Sequence, residues 1–305
     1  MIKAVNLVKD YGLFRAVDHI HFCAEQGDIL GFLGPNGAGK TTTMKMITGF
    51  LSPTSGTAYI GEYNILKNPI EAKKLIGYLP ENGPLYQEMT TLEFLRFICD
   101  MRGIFNKKAL KAIERVIEVC RLEEVRHQTI ETLSRGYRQR IGMAQAVLSD
   151  PPYLILDEPT DGLDPNQKRE VRKMIVEMAS EKVIILSTHI LEEVQAICNR
   201  VIISNHGKLI VDETPDQLRR RHEHYNAMRL SFTEDDLSLI RKTIEGMQAV
   251  GKVVEENGSL VAIPKNKENL KETLWHLARA ESWPLVSMEE APAALDDVFW
   301  DLTQS

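Results

Sequence analysis

A glycine-rich segment that ends in a lysine is the first feature of the sequence whose residues could do chemistry. The segment, which is followed by Thr42, reads Gly34-Pro35-Asn36-Gly37-Ala38-Gly39-Lys40-Thr41. Glycines allow successive backbone N–H groups to turn inward around phosphate oxygens, and Lys40 can then reach the β- and γ-phosphates. The Thr41 hydroxyl can bind Mg²⁺, which bridges the same two phosphates. The pattern and its spacing indicate a phosphate-binding loop for a nucleotide.

Two adjacent acids, Asp157 and Glu158, follow an apolar run at residues 153–156. The first could hold Mg²⁺ through a water molecule, and the second could orient an attacking water and take its proton. A strand that merely ends in two solvated acids is the alternative. The phosphate-binding loop upstream favours the catalytic interpretation, which predicts phosphoryl transfer to water.

A histidine, His189, follows another apolar run, Val183–Leu186, after the residues Ser187 and Thr188. A lone histidine at such a position is more often structural than catalytic. Its company, a phosphate-binding loop and two adjacent acids, changes that expectation. His189 is therefore a third candidate catalytic residue.

Short apolar runs are expected to position these residues as buried parallel strands. The runs are Ile29–Leu33, Tyr153–Leu156 and Val183–Leu186, with amphipathic, helix-like stretches between them. The phosphate-binding loop follows the first run and opens a helical pattern at residues 42–48. This strand–loop–helix order predicts an α/β fold of the P-loop NTPase type.

Two amphipathic helices are predicted between sheet-forming segments, at Leu92–Cys99 and Lys107–Cys120. In the second of them, apolar residues recur at the spacing of one helix face. They predict a helical subdomain over about residues 84–150.

The α/β pattern fades after Thr214-Pro215, which predicts a nucleotide-binding domain over residues 1–218 and an accessory domain over residues 219–305. Residues 216–225 are polar and are predicted to be helical. The basic run Arg219–Arg221 inside them favours a solvated helix face over a binding patch.

The accessory domain is predicted to have the order β-α-β-β-α-β, which is that of a small α+β, ferredoxin-like fold. The predicted elements are strand Ala227–Phe232, helix Asp235–Met247, strand Val250–Glu255, strand Ser259–Ile263, helix Lys267–Ala280 and strand Leu285–Met288. The pair Asn257-Gly258 supplies the positive φ angles of a hairpin turn. Residues from about 225 onward contain no phosphate-binding loop and no clustered acids or histidines, so a contact role or that of a passive appendage is expected.

Composition excludes several classes of protein. Charged residues make up 26% of the 305 residues and hydrophobic residues 43%, as in ordinary globular proteins, and the net charge of −6 gives no general attraction to nucleic acid. Four scattered cysteines without a CxxC pair indicate neither a disulfide framework nor a zinc site. No segment has the roughly 20 apolar residues that a membrane span needs, which predicts a cytoplasmic protein.

The motifs together resemble one family, the ATP-binding cassette (ABC) ATPases, across about residues 1–215. Residues 133–140, Leu-Ser-Arg-Gly-Tyr-Arg-Gln-Arg, look like the signature motif of that family and keep its Ser134 and Gly136. Three further positions look like the D-loop aspartate, the switch histidine and the adenine-stacking aromatic of the family: Asp164, His189 and Tyr11. The resemblance implies an ABC cassette fold, with a mixed sheet and a helical subdomain.

Two motifs depart from the family pattern. Glu81 stands where the Q-loop usually has glutamine, and Arg135 and Tyr137 replace the usual glycine and glutamine of the signature. A glutamate could still meet Mg²⁺ or the attacking water, and Gln87 would take the Q-loop position only if the loop were longer. The sequences of both motifs, and of residues 294–303, are similar to those found in ATPases of the ABC-2 type, including gliding-motility-like ones.

The resemblance implies an ATPase that binds ATP and Mg²⁺ and powers solute export through a separate integral membrane permease. It implies a homodimer closed head to tail, in which ATP held by Lys40 of one copy is capped by Ser134 and Gly136 of the other. It also implies a peripheral position on the cytoplasmic face of the cell membrane. Nucleic acid is not an expected partner.

Two other classes of function are weaker alternatives. Soluble cassette ATPases act on ribosomes, on DNA ends or in cluster assembly, but the ribosome type usually has two cassettes and the DNA-repair type has a long coiled coil. A cassette that only binds nucleotide is the second alternative. The presence of Lys40, Asp157, Glu158 and His189 favours hydrolysis over that alternative.

Overall fold

The computed structural model describes residues 1–233, 237–291 and 295–304. The chain forms two compact units, Met1–Pro215 and Asp216–Ser305. It passes from the first unit to the second within a short helix at Pro215–Arg219. Each unit has a hydrophobic core of its own.

The first unit contains two sheets among its described residues. Its strands are, in chain order, β1 Ile2–Tyr11, β2 Phe14–Ala24, β3 Ile29–Leu33, β4 Ser55–Ile60, β5 Tyr63–Asn64, β6 Ile76–Leu79, β7 Tyr153–Asp157, β8 Val183–Thr188, β9 Arg200–Asn205 and β10 Lys208–Glu213. The smaller sheet is antiparallel, with the order β2-β1-β4-β5, and the larger one has the order β10-β9-β3-β8-β7-β6. Strands β9, β3, β8, β7 and β6 run parallel, and only β10 is antiparallel to its neighbour. The prediction of parallel strands is confirmed.

The central strands are buried on both faces, which explains why their sequences are continuous apolar runs. Every residue of β3 and of β8 is buried. A strand that is covered on both sides has no solvated face for alternating polar residues. Because β3, β8 and β7 are parallel neighbours, their carboxyl ends bring the glycine-rich loop, His189 and Asp157 to one edge of the sheet.

The three helices predicted with bounds in the first unit are present as its first, third and fourth helices. The helices of this unit are α1 Lys40–Ile47, α2 Pro69–Lys74, α3 Thr91–Met101, α4 Asn106–Val119, α5 Arg135–Val147, α6 Pro165–Ala179 and α7 Leu191–Ile197, and α8 Pro215–Arg219 leads into the second unit. Helices α3, α4 and α5, with two short 3₁₀ turns, lie between β6 and β7 and form the predicted helical insertion. Helix α1 begins at Lys40, two residues before the predicted start, because the left-handed Gly39 directly precedes it.

The core of the first unit joins its two sheets. Residues of β1 and β2 belong to one buried cluster with residues of β3, β7 and β8. The rings of Phe22 and Phe32 meet edge to face, with their centroids 5.8 Å apart. Nearer the turn of the β1–β2 hairpin, Ala16 and Val17 lie against Gly39 of the loop that follows β3.

The second unit is a four-stranded antiparallel sheet with helices. Its elements are β11 Met228–Phe232, α9 Ser238–Glu245, β12 Val250–Glu256, β13 Ser259–Pro264, α10 Lys271–Ala280, β14 Leu285–Glu290 and α11 Leu295–Gln304. The sheet has the order β12-β13-β11-β14. The predicted sequence of strands and helices from residue 227 to residue 290 is present, with bounds that differ by up to four residues.

Several predictions for this region were wrong in detail. Helix α8 ends at Arg219, so residues 220–225 are not helical, and they form turns closed by backbone hydrogen bonds such as that from Tyr225 N to His222 O. Helix α10 begins at Lys271 and not at Lys267, which has a positive φ of 59°. Asp235, the predicted start of a helix, and Ala294 of the closing segment lie outside the described residues.

The described ranges contain no helix suited to span a membrane. None of their helices combines the length and the apolar character that crossing a bilayer requires.

Candidate active site

The loop between β3 and α1 is shaped by its glycines. Gly34 lies so close to Ser204 that a Cβ atom would collide with the backbone oxygen of that residue. Gly37 and Gly39 have φ angles of 83° and 93°, in the left-handed region that glycine tolerates best. The loop therefore turns back over its own strand and leads directly into α1.

Lys40 is the buried cation of this loop. Its side chain is 6% exposed, and Nζ donates to the carbonyl oxygens of Gly34 at 2.8 Å and Pro35 at 3.3 Å. The same nitrogen lies 3.6 Å from Glu158 Oε1. Buried Ala38 donates its N–H to Pro35 O and completes the turn. The ammonium group is held at the centre of the loop, where an anion would meet it.

A cavity of about 630 Å³ opens in front of the loop. Its lining brings together residues from the loop, from the ends of β7 and β8, and from the β1–β2 hairpin. The lining residues are Tyr11, Phe14, Ala16, Asn36, Gly37, Gly39, Lys40, Thr41, Thr42, Glu81, Glu158, Asp161 and His189. The expected phosphate-binding, adenine-stacking and catalytic side chains thus share one cavity.

Asp157 has one carboxylate oxygen in use and one free for a ligand. Oδ1 accepts the hydroxyls of Thr41, at 3.2 Å, and of Ser187. Oδ2 is buried and has no hydrogen-bond partner among the residues that the structure describes. Burial raises the pKa of Asp157, the two hydroxyls oppose that rise, and the charge of Glu81 adds to it. An orphaned carboxylate oxygen beside the Thr41 hydroxyl is the donor set that Mg²⁺ prefers.

Glu158 is buried next to His189 in a strained backbone conformation. Its φ of 50° is in the left-handed region, and its N–H donates to Ser187 O and Ser187 Oγ, both at 3.1 Å. Its Oε2 lies 3.0 Å from His189 Nδ1. Burial raises the pKa of Glu158, while the hydrogen bond with His189 and the charge of Lys40 lower it. A carboxylate whose pKa is raised is a better proton acceptor, and this suits it to act as a general base.

Glu81 and Gln87 are the two candidates for the Q-loop position. Glu81 lines both the nucleotide cavity and an adjoining surface groove. Gln87 lines that groove but not the cavity, and its carbonyl accepts the N–H of Glu131. Of the two alternatives left open by the sequence, only Glu81 is at the cavity.

Two aromatic residues stand at the mouth of the cavity. Tyr11 and Phe14 flank the β1–β2 turn and are 51% and 64% exposed, and Lys9 Nζ lies 5.4 Å from the centre of the Tyr11 ring. Exposed rings at a nucleotide site are suited to stacking on a base. Phe14 was not predicted as a site residue, although its place opposite Tyr11 across a hairpin turn could have indicated it.

The signature residues do not line the cavity of their own chain. Ser134 caps α5, accepting the N–H of Tyr137 at 3.4 Å, and Gly136 packs against the side chain of Gln167. Asp164 caps α6 by accepting the N–H groups of residues 166 and 167 at 3.0 Å. The three residues expected to serve the nucleotide of a second copy are therefore separate from the cavity in a single chain.

Arg135, one of the departures in the signature, has a partner in the loop after Glu158. Its guanidinium donates to Asp161 Oδ2 at 2.8 Å, and Asp161 itself lines the cavity. Asp161 is a cavity residue that the sequence analysis missed, because only the fold brings its loop beside the phosphate-binding loop.

A phosphate-binding loop, a buried aspartate and a glutamate–histidine pair at one edge of a parallel sheet define a P-loop ATPase. Comparison with known proteins identifies a narrower class, because residues 17–161 match the family model for ABC transporters. The bacitracin transport ATP-binding protein BcrA of Bacillus licheniformis is 40% identical over 233 residues, which are 76% of this chain and 75% of that protein. The uncharacterized ABC transporter ATP-binding protein YxlF of Bacillus subtilis is 32% identical over 300 residues, 98% of each chain.

Solved structures agree with this relationship. The ATP-binding subunit of an ABC transporter superposes with a TM-score of 0.66 at 29% identity, covering 72% of this chain and 92% of that one. A bacterial ABC transporter cassette solved as a dimer has a TM-score of 0.63 at 23% identity, covering 70% and 98%, and shares the fold. The chain belongs to the family of ABC transporter ATP-binding proteins. It is an ABC ATPase with a P-loop cassette fold.

Proposed function

We propose that this chain is the ATP-hydrolysing subunit of an ABC-2-type exporter, of the gliding-motility-like kind, and that a separate integral membrane permease carries the solute. The joint lining of one cavity by Lys40, Glu158 and His189 is the observation that carries the hydrolytic part. The transport part is supported by the two relatives, which are described as a bacitracin transport ATP-binding protein and an ABC transporter ATP-binding protein. The chain then works at the cytoplasmic face of the membrane.

In this proposal, each residue of the site has a task in hydrolysis. Lys40 and the backbone N–H groups of its loop hold the β- and γ-phosphates, where the positive end of α1 also favours an anion. Glu158 orients the attacking water and takes its proton, and His189 contacts the γ-phosphate while it holds the Glu158 carboxylate. Tyr11, with Phe14 beside it, stacks on the adenine.

Mg²⁺ fits the donors next to the loop. Thr41 and Asp157 would hold the ion. Glu81 could add a second carboxylate, because Thr41, Glu81 and Asp157 together line a pocket that adjoins the nucleotide cavity. The ion would neutralise the phosphate oxygens when bound. The chain itself places the Thr41 hydroxyl against Asp157 and leaves the second Asp157 oxygen free for it.

A head-to-tail homodimer completes the site in this proposal. Ser134 and Gly136, with the amino end of α5 behind them, cap the ATP bound by the second copy, and Asp164 lies in the adjoining D-loop. The separation of these residues from the cavity of their own chain supports the proposal, as does the dimeric cassette among the structural neighbours.

The domain assignment is part of the proposal, with a nucleotide-binding domain at residues 1–218 and an accessory domain at residues 219–305. The antiparallel order β12-β13-β11-β14, or 2-3-1-4 within the unit, supports a ferredoxin-like fold for the accessory domain. Since this unit has no second phosphate-binding loop in its described part, we assign it a contact role that holds two cassettes together.

Affinity purification of the full chain from detergent-solubilised membranes tests the proposal. An integral membrane protein should copurify, and ATP-dependent solute export should appear when both are reconstituted in liposomes. A Lys40→Ala variant is the control, because it should retain the membrane partner and lose export. Stable association with ribosomes or nucleic acid, without a membrane protein, would contradict the assignment and favour a soluble cassette ATPase.

A further inference from the structure

A buried glutamate near the catalytic residues has no part in the chemistry described above. Glu193 lies in the first turn of α7, is 1% exposed, and is not among the residues that line the nucleotide cavity. Removing a carboxylate from water is unfavourable unless its oxygens are hydrogen-bonded and its charge is paired. The contacts of Glu193 therefore show what its burial maintains.

Both carboxylate oxygens of Glu193 accept a threonine hydroxyl. Thr160 Oγ1 donates to Oε1 through a short hydrogen bond, and Thr188 Oγ1 donates to Oε2 at 3.1 Å. Thr188 Oγ1 also accepts the N–H of Ile190 at 3.0 Å, so this hydroxyl is fixed from both sides. The carboxylate thus links two separate loops.

Two cations offset part of the cost of burying Glu193. Lys168 Nζ and Arg172 Nη2 each lie 3.8 Å from Oε1. Arg172 also donates to the exposed Glu192 at 3.1 Å, so its charge is shared between two neighbouring acids. Oε1 therefore has a hydrogen bond and two nearby cations, and Oε2 has a hydrogen bond, as an ordered buried carboxylate requires.

The two threonines belong to the loops that carry the catalytic pair. Thr160 follows Glu158 by two residues beyond β7, and Thr188 directly precedes His189 at the end of β8. Glu158 Oε2 and His189 Nδ1 are 3.0 Å apart. These contacts form a closed ring. It runs along the backbone from Glu158 to Thr160, through Glu193 to Thr188 and His189, and returns through the Glu158–His189 contact.

We infer that Glu193 is a positioning residue, which sets the distance and orientation of Glu158 relative to His189. Glu158 has a left-handed backbone conformation that its surroundings must hold in place, and the Thr160 anchor lies two residues further along the chain. The His189 side chain is 39% exposed, so the backbone anchor at the preceding Thr188 helps to set its position. The role acts through these two catalytic residues and not through contact with nucleotide.

A simple structural role is the competing explanation. An acid in the first turn of a helix favours the helix by its charge alone. Glu192 is the matched control, because it lies in the same turn, carries the same charge and contacts the same Arg172, yet its side chain is 77% exposed. Glu192→Gln removes these shared features and leaves the two threonine hydrogen bonds intact.

Steady-state hydrolysis of Mg-ATP by the full chain tests the inference. Glu193→Ala should lower kcat by roughly 10- to 100-fold, because a misplacement of about 1 Å is costly in a preorganised site. KM and the ATP affinity measured by equilibrium titration should change less than about twofold, because the nucleotide contacts remain. Glu193→Gln, which keeps one acceptor, should lie between this variant and the wild type, and Glu192→Gln should match the wild type.

Thr160 provides a second test in case Glu193→Ala does not fold. Thr160→Val keeps the shape of the residue and removes the donor, so it should lower kcat in the same way, and Thr160→Ser should restore it. In a His189→Ala background, Glu193→Ala should lower kcat little further, because both changes disturb the same pair. Multiplicative losses in that background, or equal losses in Glu192→Gln and Glu193→Gln, would overturn the inference.

Discussion

Two residues of the site have a burial or a backbone conformation that is ordinarily unfavourable for folding. Asp157 and Glu158 are adjacent buried carboxylates with raised pKa values, and Glu158 also has a positive φ angle. Such features persist where the surroundings over-determine them, and they concentrate at functional sites. The residue types could be read from the sequence, whereas the strain at Glu158 and the free oxygen of Asp157 are visible only in the fold.

Replacing Glu158 with Gln should separate nucleotide binding from hydrolysis. The amide cannot accept the proton of the attacking water, so kcat should fall by roughly 10²- to 10⁴-fold, the usual contribution of a general base. ATP affinity should persist, because Lys40 and its loop are unchanged, and an ATP-bound dimer should accumulate in size-exclusion chromatography. Phosphate release at saturating Mg-ATP measures the first effect.

The stability of the Glu158→Gln variant provides its control. Burial raises the pKa of Glu158 above its value in the unfolded chain. At pH values above the folded-state pKa, the ionised carboxylate therefore lowers the free energy of unfolding. A neutral amide removes this cost, and the melting temperature at pH 7 should equal or exceed that of the wild type. Normal turnover in a folded variant would show that another group is the base.

At the scale of elements, the parts that the sequence predicts best are those determined by burial alone. Strand β3 has the predicted bounds, Ile29–Leu33, because a strand covered on both faces needs an unbroken apolar run. Residues 220–225 were predicted as helix and form turns, because local hydrogen bonds close there after Arg219. Glu193 was missed for a related reason, since its threonine partners are brought together by the sheet and not by their spacing in sequence.

The stabilising effect of the capping residues at the start of α3 can be measured. Thr90 and Glu93 form a capping box, in which Thr90 Oγ1 accepts the N–H of Glu93 at 3.3 Å and Glu93 accepts the N–H of Thr90 at 2.8 Å. Thr90→Ala should lower the free energy of unfolding by about 0.5–2 kcal/mol, the usual value of an N-cap. Urea unfolding measures the loss, and Thr90→Ser should show almost none of it.

The same capping box should depend on pH. Hydrogen bonds from the backbone and side chain of Thr90 hold the pKa of Glu93 below its usual value. Its stabilisation is therefore present above the ordinary pKa of glutamate and is lost as the solution is acidified through the folded-state pKa. The difference between wild type and Thr90→Ala should shrink over the same range, and a difference that stays constant there would contradict the assigned hydrogen bonds.

At the scale of the whole molecule, the proposed chemistry and the proposed contact role belong to different units. The cavity, its acids and its histidine all lie in Met1–Pro215, and the unit Asp216–Ser305 has a separate core formed by its sheet and helices. A module that adds a second contact between two copies raises their effective concentration without changing either nucleotide site. This division predicts that the second unit can be removed without loss of ATP binding.

A chain shortened to residues 1–219 should therefore bind Mg-ATP with the affinity of the full chain. Its dimer should dissociate more readily, on the order of a hundredfold, because the second contact and its effective concentration are lost. Equilibrium titration of nucleotide and analytical ultracentrifugation of the Glu158→Gln form, with and without residues 220–305, measure the two quantities on matched samples. Export with the reconstituted permease should fall in parallel with dimerisation. Loss of nucleotide binding in a shortened chain that remains folded would show that the cassette depends on the second unit, and equal dimerisation would identify that unit as a passive appendage.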